Sequence, residues 1–504
     1  MTGFRGIYRH YGAQYDSHMT KKAVLRMLYL VHRWLGISLC LLMSSWCASG
    51  LVMLWHTWPR PDENGQQHAH SVLVWPDHVP VLPASVYTMR FQSFRIGMIG
   101  QVPVLTLYPQ GGAATAINLR TGQTGAINVL ESGINAGRYV EALGGQGAPQ
   151  FDGLTTDDQW VLNTHGRAEG FARFRFQNAA RNVVYVSRFT GDVVQATTEQ
   201  SRFWAWIGAI PHWLYPAVLR KHPLMWQQVV IVLSGAGVFL TVTGLWVGVL
   251  RLRGAWPFSP YKRWHFVHHV SGTVFGILAL VWITTGLLTM NPAGAFQSDP
   301  KKIEPVRITG AVLGQDIVSV LRQIIETAPP DWRDVHSVFV GGKIFLSVMK
   351  ADGHGMRLDK ALQPTALTPT NIERDLQDFG LMSPPQKLIF LPEADAYYFS
   401  KDTSTRHFPV LRGIAHDGTY FYLNAATGQV EALIDRSGQR SRWFVYGLHD
   451  MDFWVWLRHP LARWSVVAPL LCGVLAIFLS AIMISVHRLR RHRQSSAVRK
   501  VKQG

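Results

Sequence analysis

Four apolar stretches stand out along the chain, at about 27–54, 224–250, 266–290 and 464–486. Each is long enough to cross a bilayer as a helix, which takes about 20 residues. The second, LMWQQVVIVLSGAGVFLTVTGLWVGVL, and the fourth, WSVVAPLLCGVLAIFLSAIMISV, contain no charged residue. One buried core helix can imitate such a window; four of them predict a polytopic membrane protein. The long connections between them, 57–200 and 293–440, have a mixed α+β pattern. GQDIVSVLRQIIETAP (314–329) sets Ile317, Val320, Leu321, Ile324 and Ile325 on one helical face. SVFVGGKIFLSVMK (337–350) predicts two strands about a Gly341-Gly342 turn. Thr-Gly at 190–191 and 427–428 predicts turns after tyrosine-containing strands, because glycine takes positive φ without penalty.

The charge pattern orients this frame. Residues 1–28 hold five Lys/Arg against one acid, 251–263 hold four with none, and 488–504 hold seven with none. These three short segments account for fifteen of the eighteen net positive charges. Basic residues flanking spans stay on the cytoplasmic side, which predicts cytoplasmic termini and exported long connections. The basic excess sits where topology requires it, so it gives no reason to expect a nucleic-acid partner. Cys40, Cys47 and Cys472 all fall within spans, which predicts no disulfide framework for the exported segments. No cleavable signal peptide is expected; the first span is too long and should remain as an anchor.

The pattern also repeats. His32, Gly36 and Gly50 recur in the second half of the chain, with the same spacing, as His268, Gly272 and Gly286. YVSRFTGDVV (185–194) recurs as YLNAATGQVE (422–431), and His212 and His222-Pro223 recur at nearly the same offset as His449 and His459-Pro460. Each half is therefore one span, an exported α+β segment, a histidine-bearing segment and a second span.

On this topology the repeated histidines make two tiers. His32 and His268 lie at the cytoplasmic ends of spans one and three; His212 and His449 precede spans two and four on the outer side. A lone histidine at a span end is ordinarily an interfacial anchor. Two at equivalent positions of a repeat can face one another, and neutral imidazole is the commonest side-chain ligand for metals and haem iron. Six-coordinate haem b takes two such nitrogens. His222 and His459 have the look of helix starts and stand in reserve, as does His269, which with His265 flanks the third-span position. No Walker motif, dinucleotide fingerprint or catalytic triad signature is present.

Taken together, HRWLG, GAIPHWLYPAVLRKHPLMWQQVV, WHFVHHVSGTVFG, TGLLTMNP, DAYYFSK, FPVLRGIAHDGTYFYLNAATGQV and YGLHDMDFWVWLRHPLARW resemble the PepSY-associated transmembrane family of bacterial inner-membrane proteins. The resemblance covers nearly the whole chain. It implies a four-helix transmembrane bundle with two periplasmic PepSY-like α+β domains. The expected order is a cytoplasmic tail (1–26), TM1 (27–54), domain 1 (57–200), an interfacial segment (201–223) and TM2 (224–250). A cytoplasmic link (251–265), TM3 (266–290), domain 2 (293–440), a second interfacial segment (441–463), TM4 (464–486) and a basic tail (487–504) follow. By similarity to ferric-siderophore reductases of the family, it further implies two haem b groups, on His32/His268 and His212/His449, and reduction of iron in a siderophore or other chelate. No flavin or NAD(P)H domain like that of some relatives is fused here, so the electron donor would be separate, a quinol or a cytoplasmic reductase. A haem-free PepSY sensor or protease regulator, and a metal permease, are the competing expectations; the spans lack the carboxylates that many ion pathways use.

Overall fold

The computed structural model describes residues 16–110, 113–161, 170–255, 258–294, 296, 309–340, 343–378, 380–381, 388–401 and 405–501. It divides into two units: residues up to 54 with 224–292 and 445 onward, and residues 55–223 with 293–444.

The first unit holds four helices, Asp16–Met53, Pro223–Val249, Arg263–Thr289 and Pro460–Val501. All are long and apolar enough to span a membrane. They cover the four expected windows but start one to eleven residues earlier, and the fourth runs on past the expected end at 486. Proline opens the second and fourth, where its missing N–H costs nothing. Leu41, Val232, Ile277 and Leu479 are exposed on the outer faces, as expected for helices whose solvent is lipid. Inside, Met43, Ala279, Ile283, Val474, Ile477 and Phe478 form the core. Small residues set the spacing: a Cβ on Gly276 would come 2.6 Å from Leu245 Cδ2, and one on Gly473 would come 2.5 Å from Phe275.

The second unit is α+β. Its strands are β1 (Arg90–Ile99), β2 (Val102–Pro109), β3 (Thr115–Asn118), β4 (Gln150–Thr155), β5 (Phe171–Arg175), β6 (Val183–Val186) and β7 (Val193–Thr197) from the first connection. The second connection adds β8 (Val312–Leu313), β9 (Trp332–Val340), β10 (Lys343–Lys350), β11 (Gly355–Asp359), β12 (Ile389–Leu391), β13 (Val410–Ile414), β14 (Tyr420–Asn424) and β15 (Val430–Ile434). Each connection builds its own four-stranded antiparallel meander, β4-β5-β6-β7 and β12-β13-β14-β15. The helix Val129–Ala142 covers the first through Ala136, Tyr139 and Val140. Pro369–Asp378 covers the second through Ile372 and Leu376. The Thr-Gly turns fall as expected, with Gly191 at φ 76° and Gly428 at φ 78°.

The remaining strands join across the two connections. Among the described residues, β11-β10-β9-β1-β2-β3 form one antiparallel sheet, with β8 also pairing β1. Arg95 stands opposite His336 and Ile96 opposite Val335 at the seam. The expected helix, Gly314–Thr327, buries Ile317, Leu321 and Ile324 against Phe94, Ile96 and Leu105 of the first connection as well as Val335 and Leu346 of the second. Neither connection closes this core alone; half an apolar sheet face would stay wet without the other. The predicted Gly341-Gly342 turn lies outside the described residues.

Candidate functional site

The first-unit core brings two of the repeated histidines together. The His32 and His268 rings lie 6.3 Å apart between centroids, tilted by 44°. Each is fixed by the second span of its own half. His32 Nδ1 lies 3.2 Å from the Leu240 carbonyl and 3.5 Å from Thr243 Oγ1. His268 Nδ1 lies 3.0 Å from the Ile477 carbonyl and 3.3 Å from Ser480 Oγ. In both halves the acceptors are a carbonyl and the hydroxyl three residues on. A carbonyl only accepts, so Nδ1 carries the proton in both rings and Nε2 keeps its lone pair. Histidines that ligate metals are commonly oriented in this way. Thr243 and Ser480 are separated by the same offset as His212 and His449, so the hydroxyl belongs to the repeat. Sequence reasoning missed it because Thr and Ser are ordinary within spans.

Room for these rings is provided by residues that lack side chains. A Cβ at Gly244 would stand 2.6 Å from His32 Cε1. Gly36 and Gly272, one turn on from the histidines, are half-buried. An added Cβ at Gly272 would meet nothing within 4 Å, and one at Gly36 only Leu240 Cδ1 at 3.9 Å. Beside His32, Arg33 buries its Nε without a hydrogen-bond partner. These features fit a flat, anionic group held by two axial nitrogens. Two metal–imidazole bonds of about 2 Å, plus two ring radii, place centroids roughly 6 Å apart, close to the separation seen.

The reserve at the third span is engaged elsewhere. His269 is buried, with Nδ1 2.9 Å from Ser259 Oγ and Nε2 2.9 Å from the Gly248 carbonyl, so both nitrogens hold the start of the third span. His265 is exposed beside Tyr261.

The other predicted pair falls in different units. His449, in the membrane unit, follows a π-helical turn at Arg442–Gly447 and places Nδ1 3.1 Å from Thr285 Oγ1. A Cβ on the adjacent Gly286 would lie 3.4 Å from His449 Cε1, so a Thr-Gly pair serves His449 as Thr243-Gly244 serves His32. His212 lies in the second unit, in the short helix Ala209–Trp213. Beside it in sequence, Trp213 and Tyr215 gather with Trp58 and Trp160, and Arg220 lies over the Trp58 and Tyr215 rings. His222 and His459 are exposed at the residues preceding Pro223 and Pro460, as helix starts would be.

Two polar clusters of the second unit were not legible beforehand. Asp158 and Asp395 each accept from a buried tyrosine, Tyr185 at 2.6 Å and Tyr422 at 2.9 Å, and from an arginine, Arg173 at 3.3 Å and Arg412 at 2.8 Å. The acid–tyrosine spacing is the same in both halves, so the repeat reaches into side-chain chemistry. At the shared seam, Arg95 donates to Asp334 and Asp192, His70 Nε2 lies 3.1 Å from Asp192, and His336 Nε2 lies 2.9 Å from Asp334. Burial alone would push both carboxyls up, but the Arg95 guanidinium outweighs it and holds them well below the usual carboxylate range.

Among the described residues no group of three or more His, Cys, Asp or Glu could hold a metal ion between them. The chain matches no protein-family model and none of the curated proteins to which it was compared.

Proposed function

We propose that the chain is an electron-transfer protein of the bacterial inner membrane, related to the PepSY-associated transmembrane proteins. In this reading it holds two haem b groups and reduces ferric iron in a siderophore or other chelate. The termini and the short link are cytoplasmic by the basic-residue pattern, and the α+β unit is periplasmic. What carries the proposal is the duplicated arrangement around His32 and His268: two imidazoles at a separation suited to one iron, each with Nδ1–H tied to a carbonyl and a hydroxyl of its own half. His32 and His268 would hold one group, and His449, with Thr285 and Gly286 beside it, would contribute to holding the other.

When bound, haem iron supplies one-electron chemistry that no amino-acid side chain provides. The chain's own residues set the conditions. Leu240, Thr243, Ile477 and Ser480 fix the imidazole tautomer and ring orientation. Arg33, half-buried with its Nε unpartnered, would offer a cation to an acidic substituent of the group. Met43, Ile283, Val474 and Phe478 keep water from the bundle core. The substrate's iron gains one electron and leaves the chelate as the more weakly held Fe(II). The electron comes from a separate donor, a quinol or a cytoplasmic reductase.

The test is the absorption spectrum of the protein purified in detergent after expression with ample haem, oxidised and then reduced with dithionite. A Soret band with sharp α and β bands on reduction is expected. Their absence would remove the electron-transfer reading and favour a haem-free sensor or a permease. His32→Ala and His449→Ala should each remove a separable part of the spectrum; identical losses would mean one group rather than two.

A further inference from the structure

Outside the histidine sites, the second connection contains a pocket of about 320 Å³ whose lining includes Lys343, Phe345, Arg357, Thr368, Asn371 and Arg374. Arg357 projects from β11 and is 8% exposed, yet its Nε and Nη1 have no hydrogen-bond partner. One face of its guanidinium stacks on Phe345, 3.9 Å from the ring centroid. Desolvation pushes this arginine down to about 10, with Asp375 only partly opposing it. The pocket's carboxylate, Asp375, is already paired with Lys343 Nζ at 2.5 Å. Lys343, Arg357 and Arg374 against Asp375 leave the pocket with an excess of positive charge.

A buried guanidinium without an anion is costly, and folded chains ordinarily pair or expose it. Here the backbone has made way for it. Gly428 at φ 78° sits where a Cβ would come 2.8 Å from Arg357 Nη1. The lining also includes the start of the helix Pro369–Asp378, where Thr368 Oγ1 accepts from the Asn371 N–H at 3.3 Å. Helix starts favour negative charge through their unpaired N–H groups.

We propose that this pocket binds an oxyanion, the carboxylate of a small organic acid or a phosphate, with Arg357 as the central donor and Arg374 at its mouth. Carboxylate and phosphate oxygens match the planar fork of arginine, and Phe345 stacks on the face of the guanidinium rather than on its N–H edge. The proposal stands independently of the haem reading.

Isothermal titration of the full chain in a neutral detergent tests it, with citrate and inorganic phosphate as separate probes at low salt. Saturable binding of at least one probe is expected, and the tighter one identifies the source. Arg357→Gln, with its melting temperature checked, should weaken that binding by about tenfold or more, the loss of one charge-assisted donor pair. Should that variant fail to fold, Asn371→Asp places a negative charge at the pocket wall without touching the core, and should weaken binding to a similar extent. Saturation by neither probe up to 10 mM would overturn the proposal. So would unchanged affinity in folded Arg357→Gln or in Asn371→Asp.

Discussion

Replacing Arg95 by methionine should destabilise the α+β unit by about 3 kcal/mol, because it strands carboxylates on both sides of the seam. Breaking a buried ion pair by removing one partner costs about 3–5 kcal/mol. The low end applies here. Asp334 is 11% exposed at its side chain and loses both guanidinium contacts, but it retains His336 Nε2 at 2.9 Å. Asp192 is 38% exposed, so water replaces much of what it loses and its share is discounted. For a domain of this size each kcal/mol moves the melting temperature by roughly 2–4 °C, giving a drop of about 6–12 °C. The pH dependence has a definite sign. Both carboxyls titrate lower in the fold than in the unfolded chain. Their contribution is therefore full above an unfolded value of about 4 and is lost as pH falls below it. Scanning fluorimetry in detergent at pH 7.5 should show the full gap between wild type and variant; at pH 4 the gap should narrow. Adding Asp334→Asn to the variant should recover part of the loss, since it removes one stranded charge. A variant melting within 1 °C of wild type at pH 7.5, or a gap that widens in acid, would refute the argument.

Other consequences are sharp enough to measure. Gly244→Ala puts a Cβ 2.6 Å from His32 Cε1, so the ring must leave the Leu240 carbonyl; overpacking of this kind costs about 1–3 kcal/mol. Under the haem reading, its reduced spectrum should lose or broaden the bands that His32→Ala removes, and an unchanged spectrum would disprove the placement. His269→Gln should lower the melting temperature while leaving the spectrum intact, because both ring nitrogens serve the protein itself. Tyr185→Phe and Tyr422→Phe should each cost about 1–3 kcal/mol by removing a donor from a part-buried carboxylate, and by similar amounts if the repeat is energetically real.

The membrane frame could be read from the chain alone. Four apolar windows longer than a bilayer need no partner to be recognised, because hydrogen bonding within each helix satisfies its own backbone. Periodicity placed a helix at 314–329, observed as Gly314–Thr327, and two strands after it within 337–350, and glycine chemistry placed the turns at 190–191 and 427–428, all of them local properties. The repeat put His32 and His268 at equivalent positions. It did not reveal what each ring would touch: the Leu240 and Ile477 carbonyls are backbone groups with no sequence signature, and a span hydroxyl such as Thr243 or Ser480 carries no signal until a ring lies beside it. The choice between His268 and His269 was likewise tertiary, since adjacent residues on a helix point about 100° apart and only the neighbours show which ring meets His32. The merging of both connections into one sheet was invisible for the same reason. Pairing between strands so distant in the chain depends on which apolar face remains uncovered, and at Arg95 and His336 that is decided by a core to which both connections contribute.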